Sequence, residues 1–240
     1  MEKLPFLMFR EHSSLEYALL ISEKSSYKGA ARDVTYTSVP GRSGDLLTDN
    51  GRYKNITIPY KLSLLNTTDR SFAVLAHQIK GWLLSEAGYF RLWDSYDGKY
   101  FRLASYNDEA DIEQELRETG ALSLSFNCKP FKYSFEGQQP VVFTAAGTLY
   151  NAEFYPSAPY IKITGSGTVT LTVNNDSFTF TDIDEYIEVD SDIMNAYKGI
   201  QPQNKKMSGA AFPTLLPGSN AISWVGDVTQ LEIVPRWCCL

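Results

Sequence analysis

The chain has 240 residues, of which 43% are hydrophobic and 13% aromatic, and a formal net charge of −6 from 22 Lys+Arg against 28 Asp+Glu. This hydrophobic content excludes a disordered chain. The lack of a basic surplus argues against nucleic-acid binding by phosphate neutralisation. Residues 1–133 carry 17 basic and 17 acidic side chains, whereas residues 134–240 carry 5 and 11, so the whole excess lies in the back half. Such a split is expected of two units with different surfaces.

Apolar runs fall far short of a membrane span, so no membrane insertion is expected. The opening MEKLPFLMFREH is interrupted by Pro5 and ends its apolar stretch at Arg10, which does not read as a signal peptide. Cys128, Cys238 and Cys239 make no disulfide framework. A reducing compartment is therefore expected, where the sequons at Asn55, Asn66 and Asn175 carry no information.

In chain order, Tyr17–Ser22 and Arg32–Val39 read as strands. Pro40-Gly41-Arg42-Ser43-Gly44 breaks the chain, and Asn50-Gly51 gives a hairpin signal. A long strand is predicted over Arg52–Leu65, with Ile56, Ile58, Tyr60, Leu62 and Leu64 on one face. Asp69 can N-cap a helix over about 69–86, whose apolar face is Phe72, Leu75, Ala76, Ile79, Trp82 and Leu83. Tyr89–Trp93 and Tyr100–Tyr106 flank an Asp97-Gly98 turn. Residues 107–118 fit a weak strand or a short helix. Ala121–Cys128 alternates as a strand ended by Pro130.

Residues 134–160, with FEGQQP and FYPSAPY, read as a boundary, giving domains 1–135 and 136–240. Beyond it come short strands at Tyr160–Thr164, Thr168–Asn174, Phe178–Thr181, Tyr186–Asp190, Ala221–Val225 and Thr229–Arg236. Their turns fall at Gly165-Ser166-Gly167, Asn174-Asn175-Asp176 and Pro217-Gly218. This spacing predicts a β-sandwich, so the fold class is mainly β with one helix in the front domain.

No catalytic constellation is legible. His12 and His77 are the two histidines, and no serine sits in a G-x-S-x-G setting. Asp182, Asp184, Glu185, Glu188, Asp190 and Asp192 cluster, yet lack the D-x-[DN]-x-[DN]-G calcium pattern. A solvated acidic strand is the favoured reading over a glycosidase pair. The glycine pairs at 41–44 and 165–167 lack the Lys-Ser/Thr of a phosphate loop and read as turns. Tyr150, Phe154, Tyr155 and Trp224 fit a sandwich core better than a sugar platform. The expectation is no enzyme, no catalytic residue, no cofactor and no metal.

The segments RDVTYTSVPGRSGDLLTDNGRYKNITIPYKL, NCKPFKYSF, YPSAPYIKITGSGTVTLTVNN, YIEVDSD, MSGAAFPTLLPGSNAISW and VTQLEIVPRW follow one another in the chain. In this order they resemble the distal tail protein (Dit) family of long-tailed, non-contractile phages, chiefly those of Gram-positive hosts. VPGRSG with DNGRY, KPF and FPxLxPGxN are the most telling pieces.

The resemblance implies a structural virion protein whose N-terminal domain builds a homohexameric ring and whose C-terminal domain is a galectin-like β-sandwich. It implies as partners the tail tube protein, a tail-associated lysin or tail-spike protein, and in some phages a receptor-binding protein. The place would be the virion tail tip, with host cytoplasm during assembly.

The polar segment 40–51 carries Leu46 and Leu47, so we expect an arm reaching a neighbouring subunit through Arg42, Asp45, Leu46, Leu47, Asn50 and Arg52. A carbohydrate-binding module is the alternative reading and a glycoside hydrolase a weaker one. Against sugar binding, the back half has no His and only Arg236 as arginine.

Overall fold

Buried apolar side chains gather into two separate cores. The chain divides with them into Met1–Lys132 plus Leu240, and Tyr133–Cys239. The computed structural model describes residues 4–23, 29–65, 71–108 and 111–240.

The first unit contains β1 (Leu7–Phe9), β2 (His12–Ser13), β3 (Leu19–Glu23), β4 (Arg32–Thr37), β5 (Leu46–Tyr53) and β6 (Ile56–Leu64). Helix α1 (Phe72–Leu84), β7 (Phe90–Asp94), β8 (Tyr100–Ser105), α2 (Ile112–Thr119) and β9 (Ala121–Ser134) follow. One sheet runs in the order β2–β1–β7–β8–β9–β6–β3. The alternation of β6 buries Ile56, Ile58, Tyr60 and Leu62, and β9 opposes it with Leu122, Leu124, Phe126 and Cys128.

Helix α1 lays Leu75, Ala76, Ile79, Trp82 and Leu83 on this core, and α2 adds Ile112 and Leu116. Ser71 caps α1 by accepting from the Val74 N–H, while the expected cap Asp69 lies outside the described residues. Phe72, expected inside, is exposed because it opens the helix before the buried stripe begins. Residues 112–119 are helical, with Asp111 as N-cap and Gly120 in the left-handed region as C-cap.

Several local expectations are corrected. Tyr17 ends a 3₁₀ turn over Ser14–Tyr17, closed by a Ser13/Glu16 capping box, so the strand starts at Leu19. Asn50-Gly51 is no hairpin turn. It lies inside β5 at a shift in the β4–β5 register, with Gly51 at φ +74 and its N–H given to the Asp49 carboxylate. The strand expected over Arg52–Leu65 is therefore two strands, broken at Lys54-Asn55. Pro130 does not end β9, which runs to Ser134, and the pairing with β6 stops before it at Cys128.

The second unit comprises β10 (Val141–Phe143), β11 (Gly147–Asn151), β12 (Tyr160–Val173), β13 (Asp176–Ile183), β14 (Tyr186–Asp190), β15 (Asn195–Lys198), β16 (Gln201–Pro202), β17 (Met207–Ser208) and β18 (Gly218–Val234). The segment read as a boundary thus already holds β10 and β11. Two long strands organise the unit. Tyr160–Thr164 of β12 lies between β14 and residues 230–234 of β18. Val169–Val173 lies between β13 and residues 222–225 of β18. The paired strands bend midway, so one sheet wraps both sides of a core holding Ile161, Ile163, Val169, Leu171, Phe178, Phe180, Ile187, Val189, Leu231 and Ile233.

Glycines make this bend possible. A Cβ on Gly165 would run into the Asp227 carbonyl oxygen, and Gly226, at φ +121, faces the Thr168 carbonyl. Gly165-Ser166-Gly167 is therefore a kink inside β12 rather than a turn. Register shifts at this point let β18 turn even-numbered Ile222 and odd-numbered Leu231 to the same core.

The FPTLLPGSN segment is a clamp. Buried Asn220 accepts from the Leu216 N–H at 2.7 Å and donates to the Leu216 and Gly218 carbonyls at 2.8 and 3.1 Å. Asn174 joins it at 2.9 Å, tying the β12–β13 turn to the start of β18. None of the three cysteines forms a disulfide, and burial pushes the Cys128 and Cys238 thiols up to about 12, as inert core groups.

Gly165→Ala should destabilise the second unit by about 1–3 kcal/mol or more, the range of overpacking. Urea unfolding followed by tryptophan fluorescence would show it, and an unchanged midpoint would contradict the kink's role.

Candidate functional site

Strands β4 and β5 form a sheet of their own, paired only with each other among the described residues. Their register sets Tyr36 opposite Leu47 and Thr37 opposite Leu46. Tyr36, Leu46 and Leu47 are 63%, 47% and 53% exposed, and Val39 is exposed beside them. Because strand neighbours face opposite sides, Leu46 and Leu47 put apolar surface on both faces of the hairpin. One flat contact would cover only one of them. Insertion between two surfaces would cover both.

Ion pairs hold the arm in shape. Asp33 receives the Arg52 guanidinium at 2.7 Å and the Lys54 ammonium at 3.5 Å. Arg32 reaches Asp49 at 2.7 Å and the Tyr53 hydroxyl at 2.9 Å. These partners, with Asn50 on Asp33 and the Gly51 N–H on Asp49, hold both carboxyls below their ordinary range. Of the residues expected in the arm, Leu46, Leu47, Asn50 and Arg52 lie on β5, and Arg42 and Asp45 lie in the exposed tip. Asn50 donates to Thr35 at 3.2 Å, so Asn50 and Arg52 brace the hairpin itself. Sequence reasoning did not single out Tyr36 and Val39, whose exposure depends on the hairpin standing apart.

A second feature of the first unit is an open cleft of about 520 Å³, lined by Arg10, His12, Glu16, Tyr17, Gln78, Gly81, Trp82 and Ser85. Tyr17 stacks on Trp82 with ring centroids 4.8 Å apart, and the Trp82 indole donates to the Phe9 carbonyl at 2.8 Å. Arg10 donates to the Trp82 carbonyl at 3.1 Å and to Ser85 at 2.7 Å, and pairs with Glu86 at 3.1 Å. His12 meets Glu16 at 2.9 Å. The Ser13 backbone N–H and His12 hold the Glu16 carboxyl below its ordinary range. His77 is exposed on α1, outside the cleft lining.

The acidic cluster of the second unit divides into separate structural contacts. Asp190 takes a bidentate bond from Arg236 at 2.7 and 2.8 Å. Asp184 and Glu185 share Lys198 at 3.2 and 3.0 Å. Glu188 accepts from the Tyr160 hydroxyl at 2.7 Å and the Gly199 N–H at 2.9 Å. Among the described residues no group of three or more His, Cys, Asp and Glu could hold a metal ion. Tyr150 and Phe154, expected in the core, are exposed, because Tyr150 points off the outer side of β11 and Phe154 sits in the loop after it. Trp224 does pack against the core.

Residues 14–128 match the family of the phage tail protein RIFT-related domain. No curated protein matches the chain. Among solved structures, the Dit protein of phage SPP1, described as a paradigm of the hub adsorption apparatus in phages infecting Gram-positive bacteria, is similar at a TM-score of 0.72 and 13% identity. The match covers 99% of this chain and 100% of that one. The first unit thus matches a phage tail domain family over residues 14–128, and over its whole length the chain has the fold of a Dit protein.

Proposed function

We propose that this tail protein is the distal tail adaptor of a long-tailed, non-contractile phage, a hexameric ring that joins the tail tube to the tail tip. A structural tail family points to assembly rather than catalysis, and to a place in the virion tail. The β4–β5 arm, which pairs with no other strand among the described residues, carries the ring reading, because Tyr36, Leu46 and Leu47 on it are exposed. A two-stranded sheet alone is marginal in water. An arm that docks on the next copy gives each subunit two different complementary surfaces, and such a heterologous contact closes into a ring by rotation. The number six follows from the likeness to the Dit family.

In this reading the first unit meets the tail tube protein and its own copies. The second unit serves as a hub for a tail-associated lysin or tail-spike protein and for receptor-binding proteins. Residues 134–240 hold the whole excess of negative charge, so like charge is kept off the ring contacts. Assembly would take place in the host cytoplasm.

Leu46→Ser with Leu47→Ser should remove the ring. Burying a leucine contributes about 1.5–3 kcal/mol, so the double change should weaken each contact roughly 100-fold or more. Light scattering would then report the 27.0 kDa chain alone. A particle of unchanged mass would sink the reading.

The arm's ion pairs add a pH dependence. The carboxyls of Asp33 and Asp49 are depressed in the folded arm, so their stabilisation is present above the unfolded value of about 3.9 and is lost as pH falls through the lower folded values. Amide exchange in the arm should stay slow down to about pH 4 and rise, after correction for intrinsic rates, below it. Protection that persists at pH 2 would show that the ion pairs do not hold the hairpin.

A further inference from the structure

Asn50 is the one asparagine of the sequence that is followed by glycine. Asparagine is thermolabile because the backbone nitrogen of the next residue can attack its side-chain carbonyl. That nitrogen is a poor nucleophile until it loses its proton, and a Cβ on its own residue crowds the approach. Gly51 removes the crowding. It is exposed, and a Cβ built on it meets nothing within 4 Å, so a cyclising side chain has nothing to displace.

The folded arm opposes the reaction at both reacting groups. The Gly51 N–H is donated to the Asp49 carboxylate at 2.9 Å, which holds the proton that must leave and sets a negative charge beside the nitrogen that must become negative. The Asn50 amide donates to Thr35 Oγ1 at 3.2 Å and also rests on Asp33, so it is tied across the hairpin to β4. Both restraints belong to a two-stranded sheet, the kind of element that opens most readily.

We propose that Asn50 is a site of spontaneous deamidation, closed while the arm is ordered and open when β4 and β5 part. In the open arm the Gly51 nitrogen gives its proton to solvent and attacks the Asn50 side-chain carbonyl carbon. The N–C bond that forms closes a succinimide ring. The C–NH₂ bond breaks, and the side-chain nitrogen takes up a proton from water and leaves as ammonia. One water molecule then opens the ring at either carbonyl, giving aspartate or isoaspartate. Asp33 now faces a like charge in place of a hydrogen-bond donor, and isoaspartate also lengthens the backbone inside β5. Both changes loosen the bracing of Asp33 by Arg52 and of Asp49 by Arg32. The chemistry stands on the arm's own geometry. Its consequence, that chains left unassembled lose the ability to join, rests on the ring reading.

Trypsin releases the site as residues 43–52, between Arg42 and Arg52. The purified chain and a synthetic peptide of residues 43–52 are incubated at mildly alkaline pH, and the amide-to-acid mass gain in this segment is followed by mass spectrometry. The peptide should convert fastest, and the folded chain about ten-fold or more slowly. Thr35→Val removes the acceptor of the Asn50 amide and keeps a β-branched residue in the strand, so it should convert roughly 2- to 10-fold faster than the parent, the weight of one neutral hydrogen bond. A folded chain that converts as fast as the peptide, or a Thr35→Val rate equal to the parent's, would overturn the gating. An Asn50 that stays intact in the folded chain through prolonged incubation would overturn the site itself. Asn50→Asp makes one product directly. It should melt like the parent, because both cores are untouched, and give single-chain mass by light scattering. Parental mass for Asn50→Asp would overturn the consequence for assembly and leave the ring reading standing. A parent chain that is itself monomeric overturns the ring reading and this consequence, and the deamidation is then judged by the mass gain alone.

Discussion

A pair of β-strands cannot cover itself. Among the described residues each strand of the β4–β5 hairpin has one partner, and its leucines lie exposed on opposite faces, so this apolar surface gains cover from a contact with another molecule. The rest of the first unit follows the opposite rule. Its sheet is capped by α1 and α2 over one continuous core. Ion pairs at Asp33 and Asp49 then hold the arm extended before docking, which lowers the ordering cost of association.

The second unit solves a different problem. It makes two layers from one sheet by bending the long β12–β18 pair, and that bend depends on backbone passing close to backbone at Gly165 and Gly226. Asn220 and Arg236 then fasten the loops and the C-terminal segment to the strands. Asp184, Glu185, Glu188 and Asp190 are spent in local contacts with Lys198, Tyr160 and Arg236, an arrangement suited to a stable scaffold with a charged exterior.

Much of this was legible in the sequence where a single periodicity dominates. The period-two row of β6 and the i, i+3, i+4 stripe of α1 give their elements directly, because each buries one face against one core. Local signals failed where the same residue types serve two geometries. Asn50-Gly51 accommodates a bulge as readily as a hairpin turn, and Gly165-Ser166-Gly167 a kink as readily as a loop. Tyr150 and Phe154 resemble core residues in composition, and only the strand's orientation shows them facing out. The arm itself was visible as leucines within a polar, glycine-broken segment. The cleft was not, because it joins residues 10–17 to residues 78–85, and its one local trace was a glycine inside a helical pattern.

The central claim is that copies of this chain close into a ring through the arm. Electron-microscope class averages of the purified parent protein measure this most directly, since they report symmetry and closure together. The account predicts closed particles with six-fold rotational symmetry and a central opening. Single subunits, or two-fold dimers as the sole assembled species, would contradict it.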